Sequence, residues 1–263
     1  MFTPLEIATN YVGIGTKKAK LSVRDTLLLS ILAGAFIACG GIASTTATVN
    51  IASASVAKLV AGCIFPAGLI MVLMCGSELF TGDNLVIIAW LDKKITFLEL
   101  LRNWVLVLFG NFLGATAISA FVVYGHTPDL FSGALAESIV NTANAKCGLS
   151  FQDAFFRGIM CNILVCLGVW GAAAAKDVAG KVLYAFWPVM CFVICGFEHS
   201  VANCYYIMAG MMTKAEYGIA GDNITVFNFL IKNLLPVTLG NIVGGGICVG
   251  FMYWLVYLKG KKN

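Results

Sequence analysis

The side chains able to do chemistry gather in two short stretches. GFEHSVANC, from Gly196 to Cys204, sets a carboxylate, an imidazole and an amide at Glu198, His199 and Asn203. GSELFTGDNL, from Gly76, sets Glu78, Thr81 and Asp83 in a second. A histidine titrates near neutral pH, so His199 can offer a proton or a positive charge to a passing anion. An acid–base enzyme built on Glu198 and His199 has no further support: the chain carries no cofactor motif and no nucleophile constellation. No catalytic residue is expected, and the chain reads as a non-enzyme. Nine of the ten cysteines fall in apolar runs, and no pair has the C-x-x-C spacing of a metal or redox site. They read as small buried hydrophobes, with Cys147, in a loop, as the accessible one. No metal and no cofactor is expected.

The elements that must hold these residues belong to a membrane. The chain is 60% hydrophobic and 11% charged, with a mean hydropathy of +0.90; a soluble domain carries about 25% charged residues. Six segments are long enough to cross a hydrocarbon core, at roughly 26–49, 57–91, 100–124, 153–175, 182–212 and 226–258. The first is too long and lacks the cleavage site of a signal peptide, so it reads as an inserted helix. The net charge of +4 is sorted by loop and is no nucleic-acid signal. With both termini inside, twelve of the 17 lysines and arginines (Lys17, Lys18, Lys20, Arg24, Lys93, Lys94, Arg102, Lys176, Lys181, Lys259, Lys261 and Lys262) lie inside. Lys58, Lys146, Arg157, Lys214 and Lys232 lie at the outer side. That bias predicts cytoplasmic termini in a cell (inner) membrane crossed several times. Tyr253, Trp254 and Tyr257 read as an interfacial belt.

The second and fifth segments are interrupted by the two polar stretches, and the two stretches match. Each has a glutamate two residues after a glycine. A second pair, RNWVLVLFGNFLG (102–114) and KNLLPVTLGNIVG (232–244), repeats in the same order. The offset is 120 in the first pair and 130 in the second, which predicts a longer loop in the second half. Each half has three spans, so the second crosses in the opposite sense. The prediction is an all-α membrane protein of six helices in two inverted repeats, with broken second and fifth helices meeting near the midplane. Repeat one covers about 26–124 and repeat two about 153–258. Residues 1–25 form an amphipathic cytoplasmic segment that either gates the inner mouth or lies at the interface, and the whole of 1–263 is one transmembrane channel domain.

Ionisable residues in mid-membrane mark pathways, which makes His199 the centre of the reading. Thr81, in the first break, faces it. Asn162, a lone amide in GIMCNILVCLGVW, needs a partner, and His199 is the expected one. Glu78 and Glu198 are expected to accept hydrogen bonds from backbone N–H groups of the breaks. Asp83 either lowers the local anion concentration or caps the next half-helix, and the cap is favoured. The pairs Gly110/Gly114 and Gly240/Gly244 are surfaces for close packing, read as packing within one subunit.

On GSELFTG, GFEHSVAN, GIMCNILVCLGVW and NLLPVTLGNIVGGG, the chain resembles the formate/nitrite transporter family over nearly its whole length. Its C-terminal stretch is most like the formate channels. The resemblance implies an aquaporin-like fold, a homopentamer with one pore per subunit, His199 as the central pore histidine with Asn162 as its partner, and Glu198 steadying the second break. It also implies that Lys146 draws anions to the outer vestibule. Phe65, Leu69, Leu79, Phe80, Val165 and Phe192, ordinary membrane hydrophobes as bare sequence, become apolar constrictions on either side of the histidine. The substrate implied is a small monovalent weak-acid anion, formate first, with nitrite or hydrosulfide as alternatives. Entry into a dry constriction raises the pKa of such an anion, so it can cross neutral with a proton supplied or relayed at His199. A plain anion channel with a fixed histidine is the alternative. A water pore is disfavoured because the asparagine–proline–alanine motifs are missing.

Overall fold

A computed structural model describes residues 1–260 of the chain. Lys261 and Lys262, which enter the charge bias, lie outside the described residues. The described residues are helical, without a strand. The first half is α2 (Val23–Thr48), α3 (Ala54–Cys75), α4 (Phe80–Leu91) and α5 (Phe97–Tyr124), preceded by α1 (Pro4–Ala19). After α6 (Ala134–Cys147), the second half is α7 (Phe151–Ala174), α8 (Val178–Ile194), α9 (Ser200–Tyr217) and α10 (Asn228–Tyr257).

Local chemistry sets the starts. Ser22, Ser150 and Asp177 cap α2, α7 and α8 by accepting from backbone N–H groups. Thr3 with Glu6, and Thr96 with Glu99, form reciprocal capping boxes on α1 and α5. Among the described residues, five helices are long and apolar enough to cross a membrane, and α4 and α8 are shorter apolar ones. As expected, the broken helices are the second and fifth spans: α3 stops before α4, and α8 stops before α9. Gly76 (φ 73°) ends α3 and Gly196 (φ 68°) follows the end of α8, both in the left-handed region that suits a residue without Cβ. The ten-residue difference in offset is shared between a longer half-helix, α9 against α4, and a longer connector after it.

Inside each half, glycines let helices touch. A Cβ on Gly114 would meet the carbonyl of Ile31 on α2, and one on Gly244 would meet the carbonyl of Ile159 on α7. Gly110 likewise faces Ser30, and Gly240 faces the carbonyl of Phe155. The glycine pairs therefore serve packing within one chain, in the same way in both halves.

Two expectations change. Cys147 ends helix α6 and is 1% exposed, because the segment expected as a loop folds into a helix that packs on α9. The aromatic belt is partly a seat: Tyr253 packs on Trp170 at 4.4 Å, and Trp170 stacks on Tyr11 of α1 at 5.6 Å. That stack, with Ile7 and Ala8 buried, docks the N-terminal helix on the bundle. Arg102 finishes the docking by donating to the carbonyls of Ala19, the last residue of α1, and of Leu21 just beyond it.

Candidate functional site: two cavities and a neck

A helix break in an apolar bundle leaves backbone groups that lipid cannot satisfy, each costing several kcal/mol. Here two asparagines answer for them. Asn111 of α5 donates to the carbonyls of Ser30 (2.7 Å) and Glu78 (2.9 Å), and accepts from the Phe80 N–H (2.9 Å). Asn241 of α10 donates to Gly158 (2.8 Å) and Glu198 (3.0 Å), and accepts from the Ser200 N–H (3.0 Å). The N–H of Glu78 goes to the Leu29 carbonyl, and that of Glu198 to the Arg157 carbonyl. Both asparagines are fully buried. Each therefore brackets its own break against the first helix of its own half.

The glutamate side chains are thus free for another task. Each holds a lysine, where bonds from break N–H groups were expected. Lys146 Nζ lies 3.0 and 2.9 Å from the two oxygens of Glu198, which also accepts from Asn203 Nδ2. Lys18 Nζ, from α1, lies 2.9 Å from both oxygens of Glu78 and 2.7 Å from Asp83 Oδ1. Asp83 is therefore not a cap: Leu79 is the N-cap of its half-helix, without a side-chain bond. Burial works to lower the Lys18 pKa, but Asp83 and then Glu78 outweigh it and hold the ammonium above the usual lysine range.

Two cavities open beside these clamps. The first, about 550 Å³, is lined by Lys146, Glu198, Phe65, Phe192 and His199. The second, about 510 Å³, is lined by Lys18, Glu78, Asp83, Leu69 and Leu79. Phe65 and Phe192 meet edge to face at 5.7 Å, and the Phe192 ring lies 5.8 Å from the imidazole. Phe80 and Val165 are buried and line neither cavity.

A pair of polar side chains, called the neck below, stands beside the first cavity, which His199 lines, and the second cavity reaches Leu79 and Gly82 on either side of Thr81 in the chain. Thr81 Oγ1 lies 3.0 Å from His199 Nε2, both residues being buried. His199 is also the N-cap of α9: its Nδ1 accepts from the Ala202 N–H at 3.2 Å. An Nδ1 that accepts carries no proton, so the neutral ring has its hydrogen on Nε2, donating to Thr81. The threonine hydrogen is then free to turn toward a third group. Asn162 does not bond to His199. Its amide donates to the carbonyls of Thr81 (3.2 Å) and Asn241 (2.7 Å), so it holds the threonine backbone. The Asn241 carbonyl accepts this bond at the point where α10 passes from an α-helical turn into the π turns of Ile242–Phe251.

The structure therefore brings together His199, Thr81 and Asn162, and separately Glu198 and Lys146. Sequence reading missed Lys18, Asn111 and Asn241. For the asparagines the signal was present in the repeated Gly-Asn-x-x-Gly, which was read for its glycines alone.

A family model described as "Formate/nitrite transporter" matches residues 5–255. The chain belongs to the formate/nitrite transporter family. Its sequence is 37% identical over 275 residues to a "Probable formate transporter" of Methanothermobacter thermautotrophicus, covering 98% of this chain and 97% of that one. It is 36% identical over 272 residues to "Formate channel FocA" of Escherichia coli strain K12, covering 98% and 95%. Among solved structures it is similar to a "Pentameric formate channel with formate bound", at 37% identity and a TM-score of 0.81, over 90% of this chain and 98% of that one. An "FNT family ion channel" is similar at 28% identity and a TM-score of 0.86, over 95% and 98%. The six-span inverted repeat with two broken helices is thus the fold that this formate/nitrite transporter family member shares with solved channels.

Proposed function

We propose that this protein is a formate channel, working as a homopentamer with one pathway in each subunit, in the cell (inner) membrane with both termini in the cytoplasm. The observation that carries the reading is the neck: one threonine–histidine pair beside two cavities that each hold a clamped lysine, in a chain 36% identical to a formate channel. The positive-inside bias puts the Lys18 cavity on the cytoplasmic side and the Lys146 cavity outside. Residues 1–263 then form one channel domain, and a cargo this small needs no cofactor.

The chemistry follows from the geometry. Lys146, with Lys58 and Arg157 on the same cavity wall, draws a small anion in. Moving a bare anion past Phe65 and Phe192 strips its water at high cost. The same desolvation raises the anion's own pKa, and the neutral acid is the form that crosses. Because the Nδ1 lone pair of His199 is engaged by Ala202, the ring serves as a neutral donor, and the proton is taken from cavity water. At the neck the Thr81 hydroxyl and the Nε2–H supply hydrogen bonds in place of the lost hydration. Leu69 and Leu79 form the second dry step before the Lys18 cavity. Glu198 and Glu78 keep the two lysines in place.

The test is flux into proteoliposomes with formate, nitrite and hydrosulfide in parallel, from pH 5 to 8, together with net current. Preference for formate, a rate that rises as pH falls, and little net current support the reading. Preference for hydrosulfide or nitrite would move the substrate, and a large current carried by formate would replace neutral passage with a plain anion channel.

A further inference from the structure

The two mouths are built on one plan and differ by one charge. With the offset of 120 that aligns Glu78 with Glu198, Asp83 aligns with Asn203. Both are buried, at 2% and 0% exposure, and both belong to the network of their glutamate. In the second half, Asn203 donates to Glu198 (2.6 Å) and to Asn233 Oδ1 (2.8 Å), so one lysine faces one carboxylate. In the first half, Lys18 faces two carboxylates, and Asp83 Oδ2 has no hydrogen-bond partner among the described residues. The rest of the walls widens the contrast. Lys58, Lys146 and Arg157 line the first cavity against Glu198 alone, whereas Lys17 and Lys18 line the second against Glu78 and Asp83. With every lysine, arginine and carboxylate in its ionised form and His199 neutral, the formal balance among the described residues is +2 in one cavity and zero in the other.

We infer that Asp83 makes the pathway electrostatically lopsided, so that a small anion is captured more weakly from the Lys18 mouth than from the Lys146 mouth. A charge facing a low-dielectric cavity acts over several ångströms, and the field of a cleft sets the local concentration of an ion entering it. A passive pore cannot shift the final distribution of its cargo. The ratio of maximal rate to half-saturation is therefore equal in both directions at zero potential and equal pH. The asymmetry appears in the two half-saturation concentrations, with the weaker mouth reaching the higher maximal rate. This inference rests on the reading of the chain as an anion pathway, but it does not depend on which anion is carried.

The experiment uses the full chain in proteoliposomes sorted by which side exposes an N-terminal tag, so that each mouth faces a known solution. Zero-trans formate flux is measured from each side at low and at high salt. The expected half-saturation at the Lys18 mouth is roughly threefold or more above that at the Lys146 mouth at low salt, and the gap narrows at about 1 M salt, where the screening length is about 3 Å. Asp83→Asn lowers the Lys18-mouth value and leaves the other unchanged. Asn203→Asp, which gives the second mouth the same acid, raises the Lys146-mouth value and serves if the first variant does not fold. Equal half-saturation at the two wild-type mouths, or variants that move both mouths together, overturns the inference. Absence of formate flux would instead overturn the substrate proposed above, and the same two-sided comparison with nitrite would then decide the lopsidedness.

Discussion

Thr81 and His199, 118 residues apart in sequence, meet at 3.0 Å in the middle of the bundle, one from the first turn of a half-helix and the other from the N-cap of its counterpart. The hydroxyl comes from one half of the repeat and the imidazole from the other. Neither half could form this neck alone. Removing one hydrogen-bonding partner from a buried pair leaves the other unsatisfied, at about 1–3 kcal/mol. Thr81→Ala is therefore expected to cut formate flux about tenfold or more, while Thr81→Ser, which keeps the hydroxyl, retains most of it. His199→Ala, which removes the Nε2–H donor, is expected to cut the rate by a factor similar to that of Thr81→Ala while keeping the rise at low pH, which comes from protonation of the anion itself. Proteoliposome uptake between pH 5 and 8 decides; an unchanged rate in His199→Ala would refute the role given to the neck.

The Lys146–Glu198 pair is 2.9 Å apart, with side-chain exposures of 16% and 7%. Breaking a mostly buried pair from one side strands a charge and costs about 3–5 kcal/mol. Lys146→Met should lower the melting temperature in detergent sharply, and Lys146→Met with Glu198→Gln should recover much of the loss. A double variant as unstable as the single would show that the pair is not coupled in this way.

Asn111 and Asn241 each make three buried hydrogen bonds, two of them at the break itself: to the carbonyl of Glu78 or Glu198 and from the N–H of Phe80 or Ser200. Asn111→Leu and Asn241→Leu should each destabilise the protein by at least about 2 kcal/mol. Because the two brackets serve separate breaks, their effects should add in the double variant. Thermal unfolding of the singles and the double reads this directly.

The α1 clamp has a defined pH sign. The Lys18 pKa is raised in the folded protein. Its contribution is complete below the ordinary lysine pKa and is lost only as pH rises through the raised value. Between pH 5 and 8 the lysine therefore stays charged and α1 stays docked on its account. Lys18→Met should expose the N-terminal helix to proteolysis at pH 7. In the wild type, release through the lysine should come only in strong alkali, and equal protease sensitivity of both proteins at pH 7 would show that the clamp does not hold α1.

Most of the architecture was legible because it is written as repetition. Matching glycine–glutamate breaks, matching Gly-Asn-x-x-Gly motifs and an odd number of spans per half leave few other topologies. What was not legible is which partner each polar residue finds. Asn162 was paired with His199, but its amide reaches the carbonyls of Thr81 and Asn241, the second at the edge of a π turn that no residue pattern announced. Asp83 looked like a cap because its partner, Lys18, lies on a helix 65 residues earlier. Cys147 looked accessible because α6 is too polar to read as a span and too short to stand out. Backbone carbonyls have no letter in the sequence, and the brackets of both breaks are made of them.

Those brackets bear on how the protein is made. Everything that satisfies the first break, Leu29, Ser30 and Asn111 with Lys18 for the glutamate, has left the ribosome before the second half begins. Everything that satisfies the second, Arg157, Gly158 and Asn241 with Lys146, comes from the second half and the helix just before it. Each half can enter the bilayer with its own break already bracketed, and the Thr81 carbonyl at the neck is the group that waits for Asn162 of the second half. Only the neck has to wait for both.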